Sequence, residues 1–211
     1  MNRPFLSVII PAAGSSERLG QAKQLVLYRG KSLIRRAIDT AEGLEPREII
    51  VVTGAHAKSV EKQALNSSAH CVHNVNWASG MGSSIALAAS HVDASAIGIL
   101  ILLCDQWGID RQDLQHLYKA WKSDTNRIVC AESQGRLGPP VIFPRSCFAS
   151  LRDLQDDAGA RRILQAHPEL IIPEPIENAE KDLDTPVHLD TLRRKGRFFR
   201  PNNLRKASDH P

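Results

Sequence analysis

The stretch "AIGILILLCDQW" (residues 96–107) is apolar from Ala96 to Cys104 and then breaks into Asp105 and Gln106. A strand with one wet face alternates apolar and polar side chains. An unbroken apolar run belongs instead to a strand covered on both faces, as in the middle of a parallel sheet. A carboxylate at the end of such a strand is costly unless a cation lies beside it, so Asp105 implies a metal ion or a basic partner. Ligands of open parallel sheets collect at the carboxyl ends of the strands. The run therefore predicts an α/β fold with helices on two faces, and it predicts the edge where function sits.

Strand-like runs at 6–11, 48–53, 69–73 and 127–131 flank this segment, and helical patterns at 31–43, 56–65, 80–92 and 110–121 fall between the strands. Three stretches then lie at or just beyond strand ends: residues 12–23 after the first, "HNVNWASGMGSS" (73–84) after the third, and 105–107 after the fourth. All three are expected to face one cleft. Past residue 128 the pattern loosens. "GRLGPPVIFP" (135–144) is a turn and a strand, and a helical piece follows it. In "KDLDTPVHLDTLRRK" (181–195), Thr185-Pro186 starts a helix and leaves Asp182 and Asp184 on the loop before it.

With 211 residues, 42% apolar and 24% charged, the chain has the composition of an ordinary soluble globule, assigned to one α/β domain over residues 1–195. The formal charge of +4 is concentrated near the end, in Arg193, Arg194, Lys195, Arg197, Arg200, Arg205 and Lys206. Residues 196–211 are accordingly expected to form a mobile basic tail rather than a nucleic-acid-binding arm. Cys71, Cys104, Cys130 and Cys147 contain no Cys-x-x-Cys and are expected to be buried thiols. No stretch has the pattern of a signal peptide or the length of a membrane span, so a cytoplasmic protein without a membrane partner is expected. His56, His70, His73, His91 and His116 show no metal-binding spacing.

"PAAGSSERLGQAKQ" (11–24) opens directly from the first strand. Its small residues leave backbone N–H groups uncovered, and Arg18 and Lys23 can reach over them, which makes a cradle for phosphate oxygens. It is not a Walker A loop, because Gly20 is followed by Gln21, and Leu25 stands where Gly30-Lys31-Ser32 would need its first glycine. Nor is "GMGSSI" (80–85) a dinucleotide fingerprint, since Ile85 replaces the last glycine.

The first loop fits A-A-G-x-S-x-R-x-G-x-x-K-Q, and in this form it resembles the nucleotidyltransferases that build molybdopterin dinucleotide cofactors. The resemblance continues in order through Val52-Thr53-Gly54, through Asn74, Trp77 and residues 80–84, through Asp105-Gln106, through G-x-P-V-x-F at 138–143, and through D-x-D-T-P at 182–186. Among its branches the cytidylyltransferases look most similar, since Ala13 stands where the guanylyltransferases carry glycine. A methyl group there is expected to narrow the base slot and favour CTP over GTP. Trp107 replaces the usual proline and is expected to reshape the pocket rim. The isoprenoid-pathway cytidylyltransferase is similar at Pro11, Ala12, Ala13, Gly14, Lys23 and Gln24, but not at 105–107 or 182–186.

The resemblance implies a three-layer, Rossmann-like nucleotidyltransferase (GT-A-like) fold with a mostly parallel central sheet. It implies transfer of a nucleoside monophosphate, with CTP preferred, to the terminal phosphate of molybdopterin or molybdenum cofactor, releasing pyrophosphate. Ala12, Ala13, Gly14, Ser15, Thr53, Gly80 and Ser84 would hold the nucleotide. Arg18 and Lys23 would clamp its phosphates and, with Asp105, carry catalysis. Asp105 and Asp184 would hold Mg²⁺, with Asp182 as their neighbour. Asn74, Ser83, Gln106, Gly138 and Pro140 would face the acceptor. The product would pass to a molybdoenzyme or a maturation chaperone, and the chain is expected to be a monomer with no nucleic-acid partner. The residues leave open a guanylyltransferase, a transferase acting on another small phosphate such as a sugar phosphate, and a nucleotide-binding protein without turnover.

Overall fold

The computed structural model describes residues 5–155 and 159–197. Along the chain lie β1 (Leu6–Pro11), β2 (Leu27–Tyr28), β3 (Lys31–Ser32), α1 (Leu33–Glu42), β4 (Glu48–Thr53), α2 (Ala57–Ala64), β5 (Ala69–His73) and α3 (Met81–His91). They are followed by β6 (Gly98–Ile101), α4 (Arg111–Ser123), β7 (Ile128–Ser133), β8 (Arg136–Pro144), α5 (Phe148–Arg152), α6 (Arg161–Ala166), β9 (Ile171–Pro175) and α7 (Pro186–Arg197). Seven strands form one sheet in the order β5-β4-β1-β6-β8-β7-β9. The first four in that order are mutually parallel, β8 runs antiparallel to β6 and β7, and β9 is parallel to β7. The fold is thus the mostly parallel, Rossmann-like sheet that the apolar run over 96–104 predicts.

Strand side chains alternate between two apolar layers. Val8, Ile10, Ile49, Val51 and Leu100 join a cluster with Ile34 and Ile38 of α1, Val60 of α2 and Leu117 and Trp121 of α4. Ile9, Ile50, Val52, Ile99 and Ile101 join one with Ile85 of α3, Leu151 of α5 and Ile163 of α6. Each such side chain, fully buried, contributes about 1.5–3 kcal/mol. Helix α4 lies close over β6 because Gly98 has no side chain: a Cβ there would stand 2.4 Å from the Trp121 ring. Its first turn is fixed by Asp110, whose carboxylate accepts from Gln112 N at 2.8 Å and Asp113 N at 3.1 Å. Such a cap contributes about 1 kcal/mol.

A third cluster sits beside the sheet and gathers Leu19, Val26, Tyr28, Leu33, Trp107, Leu183, Leu189 and Leu192. Trp107 is 8% exposed and meets Tyr28 edge to face, with ring centroids 5.3 Å apart. It therefore anchors the β2–β3 ribbon and α7 from behind the cleft, and is not the rim residue expected from the sequence. The ribbon itself and edge strand β9 are additions to the sequence reading, and α1 starts at Leu33 because residues 31–32 belong to the ribbon. Helix α7 runs through Arg197, across the boundary expected at 195. The remainder of the basic tail, 198–211, lies outside the described residues. Cys104, Cys130 and Cys147 are buried free thiols, and Cys71 is half-buried. Among the described residues no helix is long and apolar enough to cross a membrane.

Candidate active site

The ladder between β1 and β4 continues past the strands: Ala12 N donates to Val52 O and Ala55 N donates to Ala13 O, both at 2.9 Å. This close approach requires Gly54, where a Cβ would lie 2.6 Å from Ala13 O and 2.7 Å from Trp77 Cβ. Beyond it, Ser16 adopts φ 61°, in the left-handed region, and its hydroxyl accepts from Lys23 N at 3.2 Å. Gln24, 1% exposed, reaches up from below and donates from Nε2 to Ala12 O at 3.1 Å and Gly14 O at 2.8 Å. His56 Nε2 donates to Ser15 O at 3.2 Å. The loop's carbonyls are thereby held from behind. The N–H groups of Gly14 and Ser15 take no protein acceptor among the described residues, which leaves them available to an anion.

Under this loop opens a cleft of about 490 Å³, lined by residues 11–19, Lys23 and Gln24, by Trp77, Gly80, Met81 and Ser84, by Leu103–Asp105, and by Leu183 and Asp184. At its floor Lys23 Nζ lies 2.5 Å from Asp105 Oδ2 and 3.1 Å from Asp184 Oδ1. Burial alone would lower the Lys23 pKa, but the two carboxylates outweigh it and hold the ammonium well above the ordinary lysine range. Two backbone ties set the carboxylates in register: Gln106 and Asp182 form an antiparallel bridge, and Leu183 N donates to Asp105 O at 3.1 Å. Burial, reinforced by the charges of Asp105 and Asp184 and opposed by Lys23, pushes the Asp182 carboxyl up to about 7. Its Oδ1 is buried and without a hydrogen-bond partner among the described residues. Cys104, pushed up to about 12 chiefly by burial, stays a neutral thiol.

Of the residues singled out by sequence, Ala12, Ala13, Gly14, Ser15, Arg18, Lys23, Gly80, Ser84, Asp105 and Asp184 all meet at this cleft. Others are placed elsewhere. Thr53 is fully buried, its hydroxyl 3.3 Å from both Glu61 Oε1 and His73 Nδ1, so it braces β4 and does not reach the nucleotide cleft. Asn74 is 4% exposed and spends its amide on Ser83 Oγ at 2.9 Å and Ser84 Oγ at 3.0 Å, while Ser83 donates to Gly80 O at 2.8 Å. Both of these fasten the start of α3. Gln106 donates to Pro139 O at 2.8 Å and Ala179 O at 2.7 Å, so its amide hydrogens are taken by the protein. Gly138 lines a separate cavity, and Pro140 is buried. Ala13, 4% exposed, borders the cleft, and its methyl packs toward Gly54 and the apolar layer. Gln24, Gly54 and His56 are the positioning residues that sequence reasoning did not assign. For Gln24 and Gly54 the only signal was membership of the loop patterns, and for His56 there was none.

A strand-to-loop turn with uncovered backbone N–H groups above a lysine and paired carboxylates, on a mostly parallel sheet, offers the donors and charges that phosphoryl chemistry on nucleotides uses. Residues 8–170 match the MobA-like NTP transferase domain, and the chain belongs to that family of nucleotidyltransferases. It is 32% identical over 193 residues to the nicotine blue oxidoreductase of Paenarthrobacter nicotinovorans, covering 86% of this chain and 93% of that one. It is 24% identical over 193 residues to the molybdenum cofactor cytidylyltransferase of Escherichia coli K12, covering 90% and 96%. Among solved structures, the Rv0371c protein of Mycobacterium tuberculosis H37Rv in complex with manganese superposes with a TM-score of 0.74 at 22% identity, covering 90% of this chain and 98% of that one.

Proposed function

We propose that the protein transfers CMP from CTP to the terminal phosphate of molybdopterin or molybdenum cofactor. The arrangement that carries this reading is Lys23 between Asp105 and Asp184, directly beneath a loop with free backbone donors. In the reaction a terminal phosphate oxygen of the acceptor forms a bond to the α-phosphorus of the triphosphate. The bond from that phosphorus to the bridging oxygen breaks, and its electron pair leaves with pyrophosphate. Lys23 and the rim residue Arg18 stabilise the charge gathering on the leaving group, while Gly14 and Ser15 fix the phosphates by their N–H groups.

Asp105 and Asp184 offer hard carboxylate oxygens that suit Mg²⁺ or Mn²⁺. Among the described residues no group of three or more His, Cys, Asp or Glu side chains is arranged to hold a metal, so phosphate oxygens and water would complete the coordination. When bound, the ion would neutralise charge on the α-phosphate. The choice of CTP and of a molybdopterin acceptor is supported by the likeness to the Escherichia coli cytidylyltransferase and by the Ala12-Ala13-Gly14 form of the loop. A monomer passing its product to a molybdoenzyme or maturation chaperone in the cytoplasm belongs to the same reading.

The test is to incubate the protein with magnesium and each of the four ribonucleoside triphosphates, with and without molybdopterin, and to measure pyrophosphate. Release that needs both CTP and molybdopterin supports the proposal. Equal release with GTP reassigns the base, and no release with any triphosphate and molybdopterin rejects this acceptor.

A further inference from the structure

Of the described residues that line the nucleotide cleft, Trp77 alone is aromatic, and the transfer chemistry leaves it without a part. Its neighbours Val75, Asn76, Ala78 and Ser79 are exposed, whereas Trp77 is half-buried and packs against the second apolar layer. A Cβ at Gly54 would stand 2.7 Å from Trp77 Cβ and 2.8 Å from Ala13 Cβ, so the absent side chain lets Trp77 settle directly beside the phosphate loop. Several ties mount the short turn that carries it. Asn74 Oδ1 accepts from Asn76 N at 2.9 Å, and Gly80 N donates to Trp77 O at 3.2 Å. The Ser83 hydroxyl, 2.8 Å from Gly80 O and 3.2 Å from Asn76 O, closes the turn onto α3. Gly80 takes the bend between them at φ 102°, where a side chain would be strained. The regular spacing of Asn74, Trp77, Gly80 and Ser83 thus describes a mount, and the group it holds is the indole.

We infer that Trp77 is a base-contacting residue, whose indole forms one wall of the nucleobase slot and stacks on the base of the bound triphosphate. The inference rests on the transferase reading above and names an aromatic contact to its nucleotide donor. With the phosphates held by Gly14, Ser15 and Lys23, the nucleoside is left the part of the cleft walled by Ala13, Trp77, Gly80 and Ser84. Of these only the indole offers an extended apolar face. A base that stacks on it removes one π-face from water and keeps its polar edge free for other contacts. Every base has such a face, so Trp77 tightens binding of CTP and GTP alike and leaves the choice between them to groups at the base edge. Because the mount is complete without the ligand, little side-chain freedom is lost when the base arrives. Asn74 and Ser83 therefore serve the nucleotide through Trp77, without touching it themselves.

The test is calorimetric titration of the full-length chain, in magnesium, with CTP, GTP and inorganic tripolyphosphate, the last of which probes the phosphate loop without a base. Trp77→Ala is expected to weaken CTP and GTP by about tenfold or more, with tripolyphosphate affinity changed less than about twofold. Trp77→Phe, which keeps a π-face, is expected to recover most of the loss. The indole supplies a second readout that does not depend on the alanine variant folding. Trp107 and Trp121 are 8% and 0% exposed, so quenching of tryptophan emission by CTP should come from Trp77 and vanish in Trp77→Phe. Equal weakening of CTP and tripolyphosphate in Trp77→Ala gives the side chain a purely structural part and overturns the inference. CTP affinity or quenching that is indifferent to residue 77 also overturns it, and leaves the transferase reading standing. Failure of the wild-type chain to bind any nucleoside triphosphate overturns both.

Discussion

Lys23 and Asp105 are 82 residues apart in sequence, yet Nζ and Oδ2 lie 2.5 Å apart at the floor of the cleft. The pair joins the first loop to the end of the central strand, and Asp184 completes the contact from the segment before α7. Replacing Lys23 with Ala, or Asp105 with Asn, should lower turnover by about a hundredfold or more in a pyrophosphate-release assay. Because the Lys23 pKa is raised above the free value of 10.5, its contribution to stability is complete below that value and is lost only at higher pH. The kcat profile should therefore show no ionisation of Lys23 between about pH 6 and 9.

Asp182 behaves in the opposite way. Its folded-state pKa of about 7 stands above the unfolded value of 3.8, so the native metal-free protein holds a proton that the unfolded chain releases. Stability should fall as pH rises from about 4 to 7, and Asp182→Asn should remove that slope. At pH 8 the variant should be the more stable of the two, by on the order of 2 kcal/mol in urea unfolding. An unchanged slope in the variant would assign the pH dependence to another group.

Gln24 supports the phosphate loop without touching its ligand. Gln24→Leu leaves the carbonyls of Ala12 and Gly14 without their donor, which should cost about 1–3 kcal/mol of stability. With the loop loosened, KM for the triphosphate should rise about tenfold, more than kcat falls. A variant with wild-type KM would show that the loop holds its shape unaided.

Trp107 is structural. Trp107→Ala empties the middle of the third apolar cluster and should cost about 3–5 kcal/mol, measured as a fall of roughly 10 °C in Tm. Trp107→Phe should retain most of that stability. Equal losses in both variants would place the contribution in the indole N–H rather than in packing.

The sequence discloses those parts of the protein whose signal is local. The apolar run ending at Asp105, the small-residue loop with Arg18 and Lys23, and the Asp-Leu-Asp before Pro186 converge on one cleft, as the parallel-sheet rule requires. What it conceals depends on distant partners. Gln106, Asn74 and Thr53 look like ligand-binding polar residues, and only the folded chain shows the Gln106 amide hydrogens taken by Pro139 and Ala179, the Asn74 amide by Ser83 and Ser84, and the Thr53 hydroxyl beside Glu61, while Gln106 Oε1 is buried without a partner among the described residues. The β2–β3 ribbon has two residues per strand, too few for any periodicity, and β9 carries Pro173 and Pro175, which disguise a strand that the sheet tolerates only because it lies at the edge. The direction of the Ala13 methyl follows from the close approach of Gly54, which no local pattern encodes.

The third cluster draws one residue or more from the first loop, the ribbon, the end of the central strand, the Asp-Leu-Asp segment and α7. With Leu33 at the start of α1, its volume is shared among six stretches of chain that are otherwise free to drift apart in evolution. Across related chains, positions 28, 107, 189 and 192 should then change in concert, with a small residue at 107 compensated by a bulkier one at 28 or 192, because a core keeps its total volume more strictly than its individual members. The loop that carries Lys23 and the helix that follows Asp184 would stay aligned through such exchanges, so catalytic geometry is inherited through a compensating set of hydrophobic positions rather than through any one of them.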